Sequence, residues 1–294
     1  MSKIQLNNHY NLNKDEDYKI WRDKKLQVYP MTLGDIVVEL KDPKQLTPSE
    51  KSKMDDIMDK TNMVIYTSHY GDSEDKDIVR RLGAQFGVTS LDHNECADDD
   101  AITSLQINKE GLHDYYIPYS NKPISWHTDG YYNRLDEQIY ALLLHCVRPA
   151  ASGGENELMD AEIAYILLRD ENPDYITALM QDDAFTIPKN VIDGELIRPD
   201  RSGPVFMFDE NQKLHMRYSA RQRNAIWKDD EITLAAEQAL RKIMQDAKEY
   251  ILKGTLDSGM GLVSRNVLHT RSAFDEPNES ARLLYRGRYF DKIA

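Results

Sequence analysis

Cysteine is nearly absent from this chain. Only Cys96 and Cys146 occur among 294 residues, far apart and without a CxxC spacing. That scarcity argues against a disulfide framework or a structural zinc site and makes a reducing cytoplasm the expected setting. Long apolar runs are missing too. The longest, YALLLHCV at 140–147, falls far short of the roughly 20 residues a membrane helix requires. The opening stretch MSKIQLNNHYNLNKDEDY is polar and acidic and lacks an apolar h-region, so no secretory signal is expected. Positive charge is in deficit, with 37 Lys and Arg against 50 Asp and Glu and a net charge of −13. A nucleic-acid surface needs a basic face, so that class is disfavoured. A local basic pocket for a small anion remains compatible with the balance. No internal repeat, low-complexity tract or linker is visible.

What is present reads as an ordinary globular protein, 40% hydrophobic and 30% charged, and long enough to bury a sizeable core. Residues 1–20 read as a polar arm, and 21–294 as one domain. GDIVVEL reads as a strand. Thr47-Pro48-Ser49-Glu50 is a capping box with proline at the first helical position, predicting a helix to about Lys60. MVIYTS follows as a buried strand, and DKDIVRRLGAQFG as a helix stopped by Gly87. Four strand-like runs come next: SLQINKE, YYIPYS, SWHTDGYY and QIYALLLHCV. Two short helices split by Pro173 precede a hairpin, PVFMFDENQKLHMRY. A long amphipathic helix is expected over about 229–253, with Gly254 past its end, before the strands GLVSRNVLH and ARLLYRGRYFD. The expected fold class is mostly β with flanking helices (α+β).

Within SWHTDGYY, His127 and Asp129 stand two residues apart, and on an extended strand such a pair points to one face. A third donor, His269, lies 142 residues later in NVLHTRSAF, in an apolar context where a buried imidazole needs a partner. Two histidines and one carboxylate on one face of an octahedron, with open positions opposite, form the geometry of non-haem Fe(II) oxygenases. Taken alone, the His-x-Asp pair reads equally as a surface hydrogen-bonded pair. Basic residues punctuate the last thirty: Arg265, Arg271, Arg282, Arg286, Arg288 and Lys292. Most read as a solvated face. Arg282 and Arg286 differ, because ARLLYRGRYF alternates them with apolar residues and their spacing places both on one strand face. Arginine clamps a carboxylate through two parallel hydrogen bonds, and 2-oxoglutarate carries both a keto-acid head and a distal carboxylate.

The ordered blocks WHTDGYY, RPAASGGENELMD, SRNVLHTRSAF and ARLLYRGRYFD resemble the TauD/TfdA group of Fe(II)- and 2-oxoglutarate-dependent dioxygenases, and are similar to its clavaminate-synthase-like members. The resemblance covers the chain from about residue 35 onward. It implies a double-stranded β-helix (jelly-roll) core, with His127, Asp129 and His269 as catalytic iron ligands and Arg282 pairing with the distal carboxylate of 2-oxoglutarate. Arg286 then faces the anionic group of the primary substrate. Many relatives carry threonine after the Gly-Gly-acid step; this chain has Gly153-Gly154-Glu155-Asn156, and Asn156 offers an amide donor for the same co-substrate contact. The implied reaction consumes Fe(II)-activated O2 and 2-oxoglutarate, releases succinate and CO2, and hydroxylates, desaturates or cleaves a small organic substrate bearing a carboxylate or sulfonate. Asp129 argues against halogenation, since relatives that halogenate lack the carboxylate ligand.

Two other classes compete: a metal-dependent hydrolase using the same ligands, and a non-catalytic jelly-roll binding protein. The first needs no buried arginine for a keto acid and turns over without oxygen. The second would bind neither iron nor co-substrate. Arg217, Arg221 and Arg223 read either as receivers of an anionic substrate or as a salt-bridged loop. Tyr115, Tyr116, Tyr119, Tyr131 and Tyr132 line a pocket or pack in the core, His215 is a candidate for the site mouth, and His145 beside Cys146 reads as a packed core histidine. Expected partners exclude nucleic acid and membrane; a homo-oligomer is compatible with the sequence.

Overall fold

Helices form where capping and apolar spacing call for them. The computed structural model describes residues 7–93, 98–108, 111, 115–221, 223, 225–275 and 282–293; Cys96 and the end of SLQINKE lie outside these. The α-helices among them are α1 (Asp15–Val28), α2 (Pro48–Thr61), α3 (Asp77–Gln85), α4 (Ala161–Glu171), α5 (Pro173–Leu179) and α6 (Glu231–Asp246). The Thr47 capping box is present in both directions, with the Thr47 side chain accepting from the Glu50 amide and the Glu50 carboxylate accepting from the Thr47 amide. No helix among the described residues is long and apolar enough to cross a membrane.

The chain groups into two compact units. One comprises Met1–Tyr29, Trp126–Asp136 and Met159–Ile251. Helices α4, α5 and α6 pack on one another there. Short ladders surround them: Arg201–Gly203 with Phe185–Ile187 and Ile226–Trp227, and the hairpin Phe206–Phe208 with Leu214–Met216. The α1 helix and the turn before it dock on α4 through aromatics interspersed in polar sequence. Tyr10 and Tyr18 are buried, and their hydroxyls donate to Glu162 at 2.8 Å and Asp170 at 2.8 Å. An aromatic side chain supplies both apolar area and a polar tip, so two tyrosines suffice to anchor otherwise polar text.

The other unit, Pro30–Ser125, Glu137–Leu158 and Leu252–Ala294, is built on a six-stranded sheet. Its strand order is Val37–Leu40, Met63–Ser68, Gly261–Ser264, Ala141–Arg148, Leu283–Tyr289, Thr103–Leu105. Only the first pair is parallel. Side-chain alternation divides the sheet. Val64, Leu143, Val263, Tyr285 and Tyr289 join Met54 and Met58 of α2 and Val79 and Leu82 of α3 in one core, while Ile65, Leu144 and Leu262 face the opposite way. A four-stranded sheet runs Leu252–Gly254, Asn156–Met159, Leu268–Arg271, Ile124–His127. A mostly β, α+β architecture is thus as expected.

Three local expectations are corrected. Of the described part of SLQINKE only the start lies in a strand, Thr103–Leu105, and YYIPYS holds a 3-10 turn at Ile117–Tyr119, where Pro118 has no N–H to give a ladder. The long helix stops at Asp246, and Gly254 is not its cap. It closes the strand Leu252–Gly254, paired with Asn156, at a point where a Cβ would sit 2.6 Å from the Leu33 side chain.

Candidate metal centre

His127 ends the strand Ile124–His127, and Asp129 lies in the turn just beyond it rather than on the strand itself. The two-residue spacing still works because the backbone stays paired past the strand. The Thr128 amide donates to Tyr218 O at 3.1 Å, the Tyr218 amide returns a bond to the Thr128 hydroxyl at 3.1 Å, and the Ala220 amide donates to Trp126 O at 2.8 Å. Gly130 then takes φ +68, a conformation that releases the chain from the ladder at little cost only for glycine. His127 Nε2 and Asp129 Oδ1 stand 3.8 Å apart, with both side chains largely buried.

His269 sits in the strand Leu268–Arg271 and is 9% exposed. Its Nδ1 is 2.9 Å from Val267 O. That bond places the proton on Nδ1 and leaves the Nε2 lone pair for a metal, the usual way a protein fixes a ligand tautomer. One ligand atom from each of His127, Asp129 and His269 lies within 4.8 Å of the others. Two imidazoles and a carboxylate so gathered form the donor set of a facial Fe(II) site, so the residues fit the ion. His269 also lines an apolar cavity with Ile65, Leu144, Leu158 and Leu262, where Asn156 supplies the other polar side chain.

Asn156 occupies the expected place but has a structural task. Its Nδ2 donates to Thr270 O at 2.8 Å, beside His269. An amide nitrogen has a second hydrogen, so this bond does not exhaust the donor. The preceding glycines are needed by the backbone: Gly153 takes φ +74, and a Cβ there would meet Ala273 O at 2.2 Å. The Ser152–Gly153 segment pairs at that point with Phe274–Asp275.

Arg282 is buried, with its guanidinium 4.9 Å from the Phe274 ring centroid. Arg271 is 4.9 Å from the same ring. Burial first, and the Arg282 charge second, pull Arg271 down to about 9. Two buried cations on one phenyl ring make a positive locus, suited to a carboxylate. Sequence reasoning put Arg271 on a solvated face. It is instead buried and ties the His269 strand to the segment before Ile124, donating to Ser120 O at 2.6 Å and Lys122 O at 2.7 Å. No periodicity signals such a role, because its acceptors are backbone carbonyls 149 and 151 residues away. Arg286 is buried in the central sheet opposite Leu144, one of the cavity-lining residues.

Arg217 cannot present itself to a substrate. It is fully buried and donates to Tyr131 O at 2.8 Å, Phe185 O at 3.0 Å and Arg201 O at 2.6 Å. Burial, then the neighbouring Arg198, draws it down to about 10. Arg223 is exposed, and Tyr115 is exposed while Tyr119 is core. His215 is buried in the hairpin opposite Met207. His145 is a packed core histidine, 2.9 Å from the Tyr66 hydroxyl and lowered by burial to about 4. Burial pushes the Cys146 thiol up to about 12, which removes it as a nucleophile.

The chain is similar to known proteins along most of its length. Residues 23–288 match the family model for taurine catabolism dioxygenase TauD, TfdA family. A uridine-5'-phosphate dioxygenase of Amycolatopsis sp is 30% identical over 172 residues, covering 56% of this chain and 60% of that protein. One from Streptomyces sp is 28% identical over 198 residues, covering 64% and 69%. The matches thus span 60% and 69% of the length of these relatives. Among solved structures, asparagine oxygenase in complex with Fe(II), 3-hydroxyasparagine and succinate is similar with TM-score 0.61 at 12% identity, covering 83% of this chain and 80% of that one. The non-heme iron oxygenase OrfP with Fe and alpha-ketoglutaric acid gives 0.60 at 15%, covering 84% and 81%. The chain belongs to the TauD, TfdA family of dioxygenases.

Proposed function

We propose that His127, Asp129 and His269 hold Fe(II) and that the enzyme oxidises a C–H bond of a nucleoside 5'-phosphate, with uridine-5'-phosphate the first candidate. The observation that carries the reading is the convergence of the three ligand atoms within 4.8 Å, with His269 held in the metal-binding tautomer by Val267 O. The substrate class is supported by the two uridine-5'-phosphate dioxygenases to which the chain is similar. It keeps the anionic small molecule expected from the sequence and replaces carboxylate or sulfonate with phosphate. In this reading the two larger sheets are the halves of a double-stranded β-helix and residues 21–294 act as one catalytic domain.

Iron, when bound, supplies activation of dioxygen, coupled to conversion of 2-oxoglutarate into succinate and CO2, with one oxygen atom going to succinate and the other to substrate. The chain supplies the rest. Arg282 binds the distal carboxylate of 2-oxoglutarate in the positive locus around Phe274. Asn156 donates its second amide hydrogen to the co-substrate while its first holds the His269 strand. Arg286 is the cross-strand partner of the cavity-lining Leu144 and adds positive charge beside the apolar cavity. Leu144, Leu158 and Leu262 exclude water around His269, which strengthens every charge interaction there. Asp129 would supply the carboxylate ligand that halogenating relatives lack, which favours oxidation of the substrate over halogenation.

The test is anaerobic. Purified protein given Fe(II) and 2-oxoglutarate should develop a visible metal-to-keto-acid absorption band, and uridine-5'-phosphate should perturb it. Asp129→Ala should lose the band, and Arg282→Ala should weaken 2-oxoglutarate binding at unchanged metal content. A metal-loaded wild-type protein with no band would sink the reading.

A further inference from the structure

The structure assigns the anion-receiving role to Arg198, over the Tyr132 ring, at the end of a ring ladder that starts on His127. This deepens the function proposed above and rests on it for the substrate. From His127 the Tyr131 ring is 6.4 Å away, edge to face. Tyr132 follows at 5.2 Å, again edge to face. The Arg198 guanidinium then lies 6.0 Å from the Tyr132 centroid. Rings and guanidinium therefore form one continuous contact path beginning at a metal ligand. A ligand lying along it meets aromatic faces first and a cation last. Aromatic rings stack nucleobases whatever their identity, and a guanidinium fork matches phosphate oxygens. A nucleoside monophosphate carries both complements in one molecule.

The scaffold around Arg198 is built to hold it. Its Nη2 donates to Pro188 O at 2.8 Å and its Nη1 to Pro199 O at 3.3 Å. Two carbonyls and a ring thus fix the plane of a group with five N–H donors. Its neighbour Arg217 secures the same platform from beneath, through the Tyr131 carbonyl. The two positive charges are close enough to act on each other, which raises the local potential on a chain of net charge −13.

Arg198 closes the hairpin Asn190–Ile192 and Glu195–Arg198, which turns at Asp193 (φ +51) and Gly194 (φ +86). This hairpin is a sheet of two strands only. Its cross-strand pair Val191 and Leu196 is exposed at 48% and 57%. A lone hairpin with an uncovered apolar pair is marginal by itself, so ligand contact at its base adds order. Removing Arg198 takes away its bonds to Pro188 O and Pro199 O at this hairpin's base, so the uridine and 2-oxoglutarate affinities serve as controls for local disorder.

Equilibrium dialysis against uridine-5'-phosphate and, separately, uridine tests this without any need for turnover. Wild-type protein should bind the phosphorylated form about 10- to 100-fold more tightly, the range expected for hydrogen bonds to a charged group. Arg198→Ala should erase that ratio while leaving uridine affinity and 2-oxoglutarate affinity unchanged. Arg198→Lys should recover part of it, and Tyr132→Leu should weaken both nucleoside and nucleotide. An unchanged ratio in Arg198→Ala would overturn the assignment, as would equal loss of uridine, 2-oxoglutarate and nucleotide binding, or a wild-type protein that binds neither nucleoside nor nucleotide. Failure of the oxygenase reading shows separately, as absence of the anaerobic absorption band.

Discussion

Arg217 illustrates how a single side chain can be indispensable without touching substrate. Its guanidinium donates to three backbone carbonyls, from Tyr131, Phe185 and Arg201. Tyr131 lies two residues beyond Asp129, so this bond steadies the turn that presents the carboxylate. Burial carries a desolvation cost, evident in the lowered acidity range of the group, and the three acceptors offset it. Removing the donor leaves those carbonyls in the interior, at about 1–3 kcal/mol each where no water replaces it. Arg217→Ala should therefore destabilise the fold by roughly 3 kcal/mol or more, read as a lowered urea midpoint. Arg217→Lys should rescue little, since one ammonium cannot reproduce a planar fork. An unchanged midpoint would show that the carbonyls find other partners.

At the scale of elements, the docking of α1 on α4 depends on charge as much as on tyrosines. Lys25 is 6% exposed and lies 2.6 Å from Asp160 and 2.5 Å from Glu162. Burial opposes ionisation of Glu162, but Lys25 outweighs it and holds the carboxyl below its ordinary range. Burial likewise opposes the Lys25 charge, and the two carboxylates raise it above the usual lysine value. The signs follow by linkage. The Glu162 contribution is present above the unfolded value of about 4.3 and is lost as pH falls through the lower folded value. The Lys25 contribution is present below about 10.4 and is lost as pH rises through the higher folded value. Lys25→Met should thus destabilise by about 3–5 kcal/mol at neutral pH, because two buried carboxylates lose their cation. Urea unfolding at pH 7 and again near pH 4 provides the check. The difference from wild type should shrink at the lower pH, where protonation relieves the stranded charges; a difference independent of pH would reject this account.

For the whole molecule, ligand binding and folding are one linked equilibrium. The three proposed metal donors come from sequence segments about 140 residues apart, so the set does not exist in the unfolded chain, and in the proposed reading Fe(II) or 2-oxoglutarate binds the native state alone. At a hundredfold excess over the dissociation constant, a ligand adds about 2.7 kcal/mol to unfolding free energy. A melting temperature several degrees higher with Fe(II) and 2-oxoglutarate is therefore expected, reversed by a chelator and absent in Asp129→Ala. A shift of equal size in that variant would place the metal elsewhere.

The sequence by itself determined the elements whose signals are local. The capping box at Thr47, the continuous apolar run of Ala141–Arg148 and the alternation of arginines with apolar residues leading into Leu283–Tyr289 each follow from backbone geometry and side-chain period. It also pointed to His127, Asp129, His269 and Arg282, since a donor set that chemistry requires leaves a fixed residue pattern. Tertiary structure alone decided what each arginine does. Arg217, thought a candidate for substrate, is held by interior carbonyls, while Arg271, placed on a solvated face, straps the His269 strand to the segment before His127. Arg198 is brought over the Tyr132 ring, 6.0 Å from its centroid, only by the fold. Backbone carbonyls are the same in every sequence and ring stacking joins distant residues, so neither leaves a trace in residue order. A guanidinium has five donors and a long stem, and its neighbours in space determine whether it binds substrate or supports the chain.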